Sequence, residues 1–349
     1  MNHIVHEKIL SSRIILGEPF AEKSTHDFYK DLAEQYGIQE LTLIMCNSLQ
    51  RKTCLSYFNE IFYLILDTSV TEIFYLLNKA KAYGRKNDFL KTVFYLVSSE
   101  QYFAEGQYAL ALQFAAKYLN TIETIIDIMT FEDDKDYPSP LFIQQAFLLS
   151  HEVYHYWLSL DNNRYEQVKN AKQKMLGNIH NYAQKENEPL LGKSFADAIT
   201  NKVLIEECIC DSMGALSAID IGVKIKKQSE VQAAIAIIES LNYQFILSCI
   251  QRFNEQINRK INFSEMNEFN IRLLHLKIIL SKILRKDYCV ADIDKFEDAM
   301  KHNDYIINNT IQKIAEMYSE ESLDLKYYFG SGDSVSVETR EQLLKIYAL

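Results

Sequence analysis

Three ionisable residues stand inside an otherwise apolar run, LLSHEVYHYWL from Leu148 to Leu158: His151, Glu152 and His155. Histidines four apart lie on one face of a helix, one turn from each other, so both imidazoles can reach a single metal ion. Glu152 is rotated by about 100° from His151, close enough to touch a water on that ion. This spacing is HExxH, in which the two histidines bind zinc and the glutamate is the general base of a hydrolase. Burying such groups without partners costs several kcal/mol, so compensation must come from elsewhere in the chain. The plain alternative is that His151 and His155 are hydrogen-bonded core histidines and the pattern is a coincidence.

A catalytic zinc takes three protein ligands and leaves a fourth position open to water. The run VLIEECICDSMGALSAI, residues 203–219, again places acids inside an apolar helix. Glu207 and Asp211 are one turn apart on one face. Glu207 can be the third ligand, and Asp211 can accept a hydrogen bond from a ligand histidine and so fix its tautomer and orientation. Glu206 competes with Glu207 for the ligand position; the spacing to Asp211 favours Glu207. Gly214 and Ala215 would let this helix pack closely. Cys208 and Cys210 are near, and thiolates bind zinc, but two residues apart on a helix they point to different sides. They read as inert buried thiols.

HExxH followed on a later helix by ExxxD resembles the gluzincin metallopeptidases. EECICDSMGA is similar to the EExEADxxGA pattern of the branch that includes the CAAX prenyl proteases and the phage-exclusion peptidase. The upstream order, a strand NEIFYLILD and a helix TSVTEIFYLL, also fits. The resemblance spans about residues 60–80 and 140–220. It implies His151, His155 and Glu207 as ligands, Glu152 as base, Asp211 as the acid behind them, and a strand beside the cleft that pairs with extended substrate. Arg272 matches an arginine that helps stabilise the transition state in that family. There are departures: Cys210 replaces the usual alanine, and Asn267-Glu268 stands where His-Pro is usual. The stretch between the first helix and the HExxH helix is unusually long. The membrane spans of the prenyl proteases are absent.

These residues need a scaffold. Gly (10) and Pro (4) are scarce in the 349 residues, and turns depend on both, so the chain reads as mostly helical. Residues 1–37 form one or two short helices ending near Gly37. The runs 40–48 and 54–67, rich in β-branched and aromatic residues, are a hairpin candidate around the polar LQRKT; a helix over 55–66 is the alternative. A helix follows, capped by Asp67, Thr68 or Ser69 and closed by Gly84. Two amphipathic helices fill 86–130, split at Gly106. After the charged loop FEDDKDYPSP, Ser139 as cap and Pro140 at the first turn start the motif helix. An exposed helix spans 162–190, closed by Pro189, and a buried one spans 194–220. Three or four long helices occupy 224–318, with a break near RKINFSEMNE. YYFGSGDSVS reads as a loop, and a short helix ends the chain. The expected fold is mainly α, a zincin-like α+β arrangement with a small sheet near 40–67 packed on a large helical body. It is one catalytic unit over 1–349: an N-terminal α+β part with a helical insertion (1–140), the zinc-site helices (141–220) and a C-terminal helical part (221–349).

About half the chain is apolar (48%) and the net charge is −10, with no Lys/Arg stripe, which argues against nucleic acid. The six cysteines have no CxxC spacing and read as free thiols of a reducing cytoplasm. The start reads as no signal peptide. VQAAIAIIESLNYQFILSCI contains Glu239, Asn242 and Gln244 and reads as a core helix rather than a membrane span. His180 reads as solvated and His275 as a satisfied core residue. His3 and His6 can bind metal only as mobile terminal residues. Tyr154 and Tyr156 read as packing. Together these readings predict a cytoplasmic metallopeptidase with one Zn2+ per chain, in which Glu152 activates water against a protein or peptide substrate. The alternatives are a catalytically silent zinc-binding interaction or sensor protein, a non-peptidase zinc amidohydrolase, and a metal-free helical scaffold.

Overall fold

The structure, a computed structural model, describes residues 10, 13–17, 19, 23–38, 41–58, 60–83, 86–130, 140–185, 200–226, 228–255, 264–286, 293–325 and 337–347. The fold is mainly α with one small sheet. Strand β1 is Ile15–Gly17, β2 Thr42–Ser48, β3 Cys54–Phe58 and β4 Ile61–Asp67; helix α1 is Lys23–Gln35. Helices α2 (Ser69–Tyr83), α3 (Lys86–Ala104) and α4 (Tyr108–Thr130) follow. Then come α5 (Pro140–Ser159), α6 (Asn162–Lys185), α7 (Lys202–Lys226) and α8 (Glu230–Glu255). The chain continues through α9 (Ser264–Lys286), α10 (Ile293–Leu325) and α11 (Val337–Tyr347).

The sheet lies where the β-branched and aromatic runs predict it, but its pairing differs from the expected hairpin of 40–48 against 54–67. The strand order is β1-β2-β4-β3. The second run breaks in two, and the hairpin lies inside it, with Cys54 opposite Ile65 and Phe58 opposite Ile61. Glu60 takes the left-handed conformation (φ 64) that two-residue hairpin connections favour. Strand β2 pairs with β4 in parallel, Thr42 opposite Tyr63 through Cys46 opposite Asp67. The strand NEIFYLILD is therefore central, buried along most of its length, and β3 occupies the edge. One sheet face joins Ile44, Cys46, Tyr63 and Ile65 in a small cluster. On the other, Leu64 and Leu66 enter a core with Phe28 and Leu32 of α1 and Phe142 and Phe147 of α5.

Asp67 holds this corner together. Its buried carboxylate accepts hydrogen bonds from Ser48 N (3.0 Å), Lys52 N (3.2 Å) and the Ser69 hydroxyl (2.7 Å), and pairs with Arg13 at 2.8 Å. The acid expected to cap α2 also ties down the loop that leads into β3.

Helices α3 and α4 form the expected pair about Gly106, whose φ of 77 is open to glycine without steric cost. Phe89, Phe94 and Phe114 from this pair share a core with Phe74 of α2 and Ile246 and Ile250 of α8. Helix α8 is long and apolar enough to cross a membrane (Glu230–Asn254, mean hydropathy 1.5), with 83% of that window buried inside the protein. It contributes to both large cores, Ile246 to one and Ile237 and Leu241 to the other. Among the described residues, the region 224–318 holds three long helices, α8, α9 and most of α10. The expected loops at 131–139 and 327–336, the Ser139 cap, Pro189, His3 and His6 lie outside the described residues, as does the His180 side chain.

Candidate metal centre

Helix α5 starts at Pro140 and is buried on almost every side, including His151. It runs antiparallel to α7: Ile143 meets Gly222, and His151 meets Gly214. The approach at Gly214 is close. A Cβ there would stand 3.0 Å from His151 N and 3.2 Å from its Cα. Glycine therefore lets the two helices touch where the ionisable residues face each other.

His151, His155 and Glu207 form a group able to hold a metal ion. The three side chains form a compact triangle, their ligand atoms within 4.8 Å of one another. His151 Nε2 is 3.1 Å from His155 Nε2 and 3.3 Å from Glu207 Oε2, and His155 Nε2 is 3.4 Å from the other carboxylate oxygen, Glu207 Oε1. Ligand bonds of about 2.0–2.1 Å in a tetrahedron imply ligand–ligand separations of about 3.3–3.4 Å, and these contacts are of that order.

The outer nitrogens support the same reading. His151 Nδ1 lies 3.0 Å from Asp211 Oδ1, and His155 Nδ1 lies 2.9 Å from Glu206 Oε1. A ring N–H facing each carboxylate would leave both Nε2 atoms free for a metal beside a third carboxylate. The surrounding acceptors push both imidazoles up. Burial opposes this for His151, but hydrogen bonds to Asp211 and Glu207 prevail and raise it to about 9. His155 is raised against burial by Cys210, Glu206 and Glu207. Burial would raise Glu207, yet the two histidines and Arg272 hold it well below the usual carboxylate range.

Arg272 of α9 closes the back of the group. Its Nε and Nη2 each donate to Asp211 at 2.8 Å, and Nη1 lies 2.9 Å from Glu207 Oε2. Asp211 is fully buried; burial would raise its carboxyl, and Arg272 with His151 lowers it to about 2. The guanidinium is committed to carboxylates of the site, the ligand candidate among them.

Glu152 points the other way, towards the sheet. Leu55 N on edge strand β3 donates to Glu152 Oε2 at 3.1 Å. The base candidate is thus held by a backbone amide beside the triangle. His151, Glu152, Glu207 and Arg272 line one side of a cleft of about 700 Å³, whose other side includes Arg51 of the β2–β3 loop and Glu100 of α3.

No known protein family, curated protein or solved structure matches this chain. The site therefore stands on its own geometry.

The other sequence candidates lie outside the His151–His155–Glu207 group, Cys210 beside His155. Cys208 and Cys210 are fully buried, and burial pushes both thiols up, Cys210 to about 12. Tyr154 and Tyr156 are buried in packing. His275 is buried against Lys172 Nζ (3.2 Å) and Ser212 Oγ (3.4 Å). Sequence reasoning weighed Glu206 only as a rival ligand and missed its place on His155, where Tyr165 of α6 also donates to it at 3.3 Å. It also missed Leu55 and the Arg51–Glu100 pair, for which no spacing rule exists.

Proposed function

We propose that this chain is a zinc-dependent metallopeptidase of the zincin type, as the HExxH and ExxxD spacing suggests. The observation that carries the reading is the close grouping of His151, His155 and Glu207, with Glu152 next to His151 in the chain. Two imidazoles, a carboxylate and one open position suit zinc among the common metals. When bound, zinc supplies a Lewis acid that polarises a carbonyl and makes water acidic near neutral pH. The residues of the chain do the rest. Glu152 takes a proton from the attacking water as the carbonyl carbon gains its new C–O bond. It then delivers that proton to the amine nitrogen as the C–N bond breaks. The Leu55 N–H holds the Glu152 carboxylate in place. Asp211 and Glu206 fix the ring orientations, and Arg272 keeps Glu207 and Asp211 charged and in register. A part for Arg272 at the transition state would require it to release one of these contacts.

Peptide rather than another amide is favoured by edge strand β3, which runs beside Glu152 and whose remaining open main-chain groups suit pairing with an extended chain. The five described cysteines are free, which supports a cytoplasmic setting.

The test combines metal analysis with turnover. Mass spectrometry should find about one zinc per chain in the wild type and in Glu152→Gln, and none in His151→Ala. A synthetic peptide library should be cleaved by the wild type, with turnover in Glu152→Gln reduced by about 10²–10⁴-fold. Undiminished turnover in that variant refutes the base assignment. Zinc bound without turnover on any substrate favours the silent zinc-binding reading.

A further inference from the structure

The wall of the cleft opposite the metal centre is stitched together by side chains. Arg51, three residues before β3, is buried, with only 6% of its side chain exposed, and takes a left-handed φ of 48. Its Nε donates to Glu100 Oε2 at 2.8 Å, its Nη2 to the other Glu100 oxygen, and its Nη1 to the Ser69 carbonyl. This fastens the β2–β3 loop to α3 and to the start of α2. One residue along α3, Gln101 Nε2 donates to the Gln251 carbonyl at 3.0 Å, and its Oε1 accepts from Asn254 Nδ2 at 3.1 Å. This fastens α3 to α8. Arg51, Glu100, Gln101 and Gln251 all line the cleft.

These contacts tie the β2–β3 loop, the start of α2, α3 and α8 together along the cleft that also contains Glu152 and Glu207. A buried bidentate Arg–Glu pair is a poor candidate for opening, because separating it strands two charges away from water. The cleft volume of about 700 Å³ falls in the range of sites that hold one small ligand. Helix α3, in the unusually long stretch between α2 and α5, lines it with Val97, Glu100 and Gln101. A groove for the interior of a long polypeptide needs two open ends, and the contacts of Glu100 and Gln101 hold the α3 side of this one in place.

We infer that the site acts on short peptides or on the ends of longer chains, with α3 limiting the length of substrate beyond the scissile bond. The inference rests on the peptidase reading above.

The experiment uses the full chain loaded with zinc, with Glu152→Gln as a control for contaminating protease. The probes are a synthetic library graded in length and β-casein, an unstructured protein; mass spectrometry reads the products over time. Cleavage of short peptides, or within a few residues of a chain end, is expected to be about tenfold faster or more than cleavage in the interior of casein, a difference of about 1.4 kcal/mol in barrier. Gln101→Ala, which cuts the α3–α8 seam, should shift the ratio several-fold towards interior cleavage while zinc content stays the same. Interior cleavage of casein at a rate equal to that of short peptides overturns the inference and leaves the peptidase reading standing. Cleavage of nothing by a zinc-loaded chain removes the peptidase reading and the inference with it.

Discussion

Glu206 and Glu207 are neighbours that serve different histidines. Adjacent helical residues point about 100° apart, so one carboxylate can enter the triangle while the next reaches the outer nitrogen of His155. Spacing identified the pair and favoured Glu207, because Asp211 lies one turn further on. It carried no information on Glu206, whose surroundings come from α6 through Tyr165. The distances separate the two roles. Glu207→Ala should lose zinc in equilibrium dialysis. Glu206→Ala should keep about one zinc with affinity lower by about 10–100-fold, the usual effect of removing the partner of a ligand histidine. The opposite pattern would make Glu206 the ligand. The same logic places Arg272: the family resemblance marked it as a transition-state stabiliser, and only the packing of α9 on α7 shows it held by Asp211 and Glu207.

At the level of elements, the helices were legible because their ends carry local signals. Gly106 splits α3 from α4, Pro140 opens α5, and Asp67 stands at the start of α2. The sheet order was not legible. A run such as 54–67 contains strand-forming residues throughout, and the turn at Glu60 has no glycine to announce it. Which strand lies beside which depends on contacts remote in sequence, such as Arg13 with Asp67. The contact of α5 with α7 was half legible: Gly214 and Ala215 suggested close packing, and the structure shows Gly214 against the His151 backbone. Backbone atoms cannot rotate away, so Gly214→Ala must push the helices apart. We expect a loss of about 1–3 kcal/mol of stability, the usual range for overpacking, read as a lower midpoint in chemical unfolding. Zinc affinity should fall as well, since the same displacement separates Glu207 from the histidines. An unchanged midpoint and affinity would mean that the helices tolerate the shift.

Across the whole molecule, the buried polar groups set how stability depends on pH. His275 is 1% exposed; burial, followed by the charge of Lys172, lowers it from 6.5 to about 3. The folded chain keeps it neutral while the unfolded chain protonates it. Its contribution is therefore complete above about pH 6.5 and is lost as pH falls through that value towards about 3, at no more than about 1.4 kcal/mol per pH unit. His275→Gln removes this titration. Thermal melts of the two proteins between about pH 4 and 7 should show a shallower loss of stability on acidification for the variant. Parallel curves would mean that His275 is solvated in the folded chain. Composition did anticipate a large, mostly helical body, and the two large cores that share α8 bear that out. It could not anticipate the polar cluster of Lys172, Ser212 and His275, which three separate helices assemble.

The triangle is divided along the polypeptide, with both imidazoles on α5 and the carboxylate on α7. A ribosome emits α5 first, and at about 5–20 residues per second Glu207 follows His155 by roughly three to ten seconds. During that interval the nascent chain carries two histidines that can grip a metal ion only loosely. The complete site exists only after α7 has been made and laid antiparallel along α5. A metal ion bound by all three side chains is thus a late arrival in the biogenesis of the molecule, and its capture would mark the moment when the two halves of the site have met.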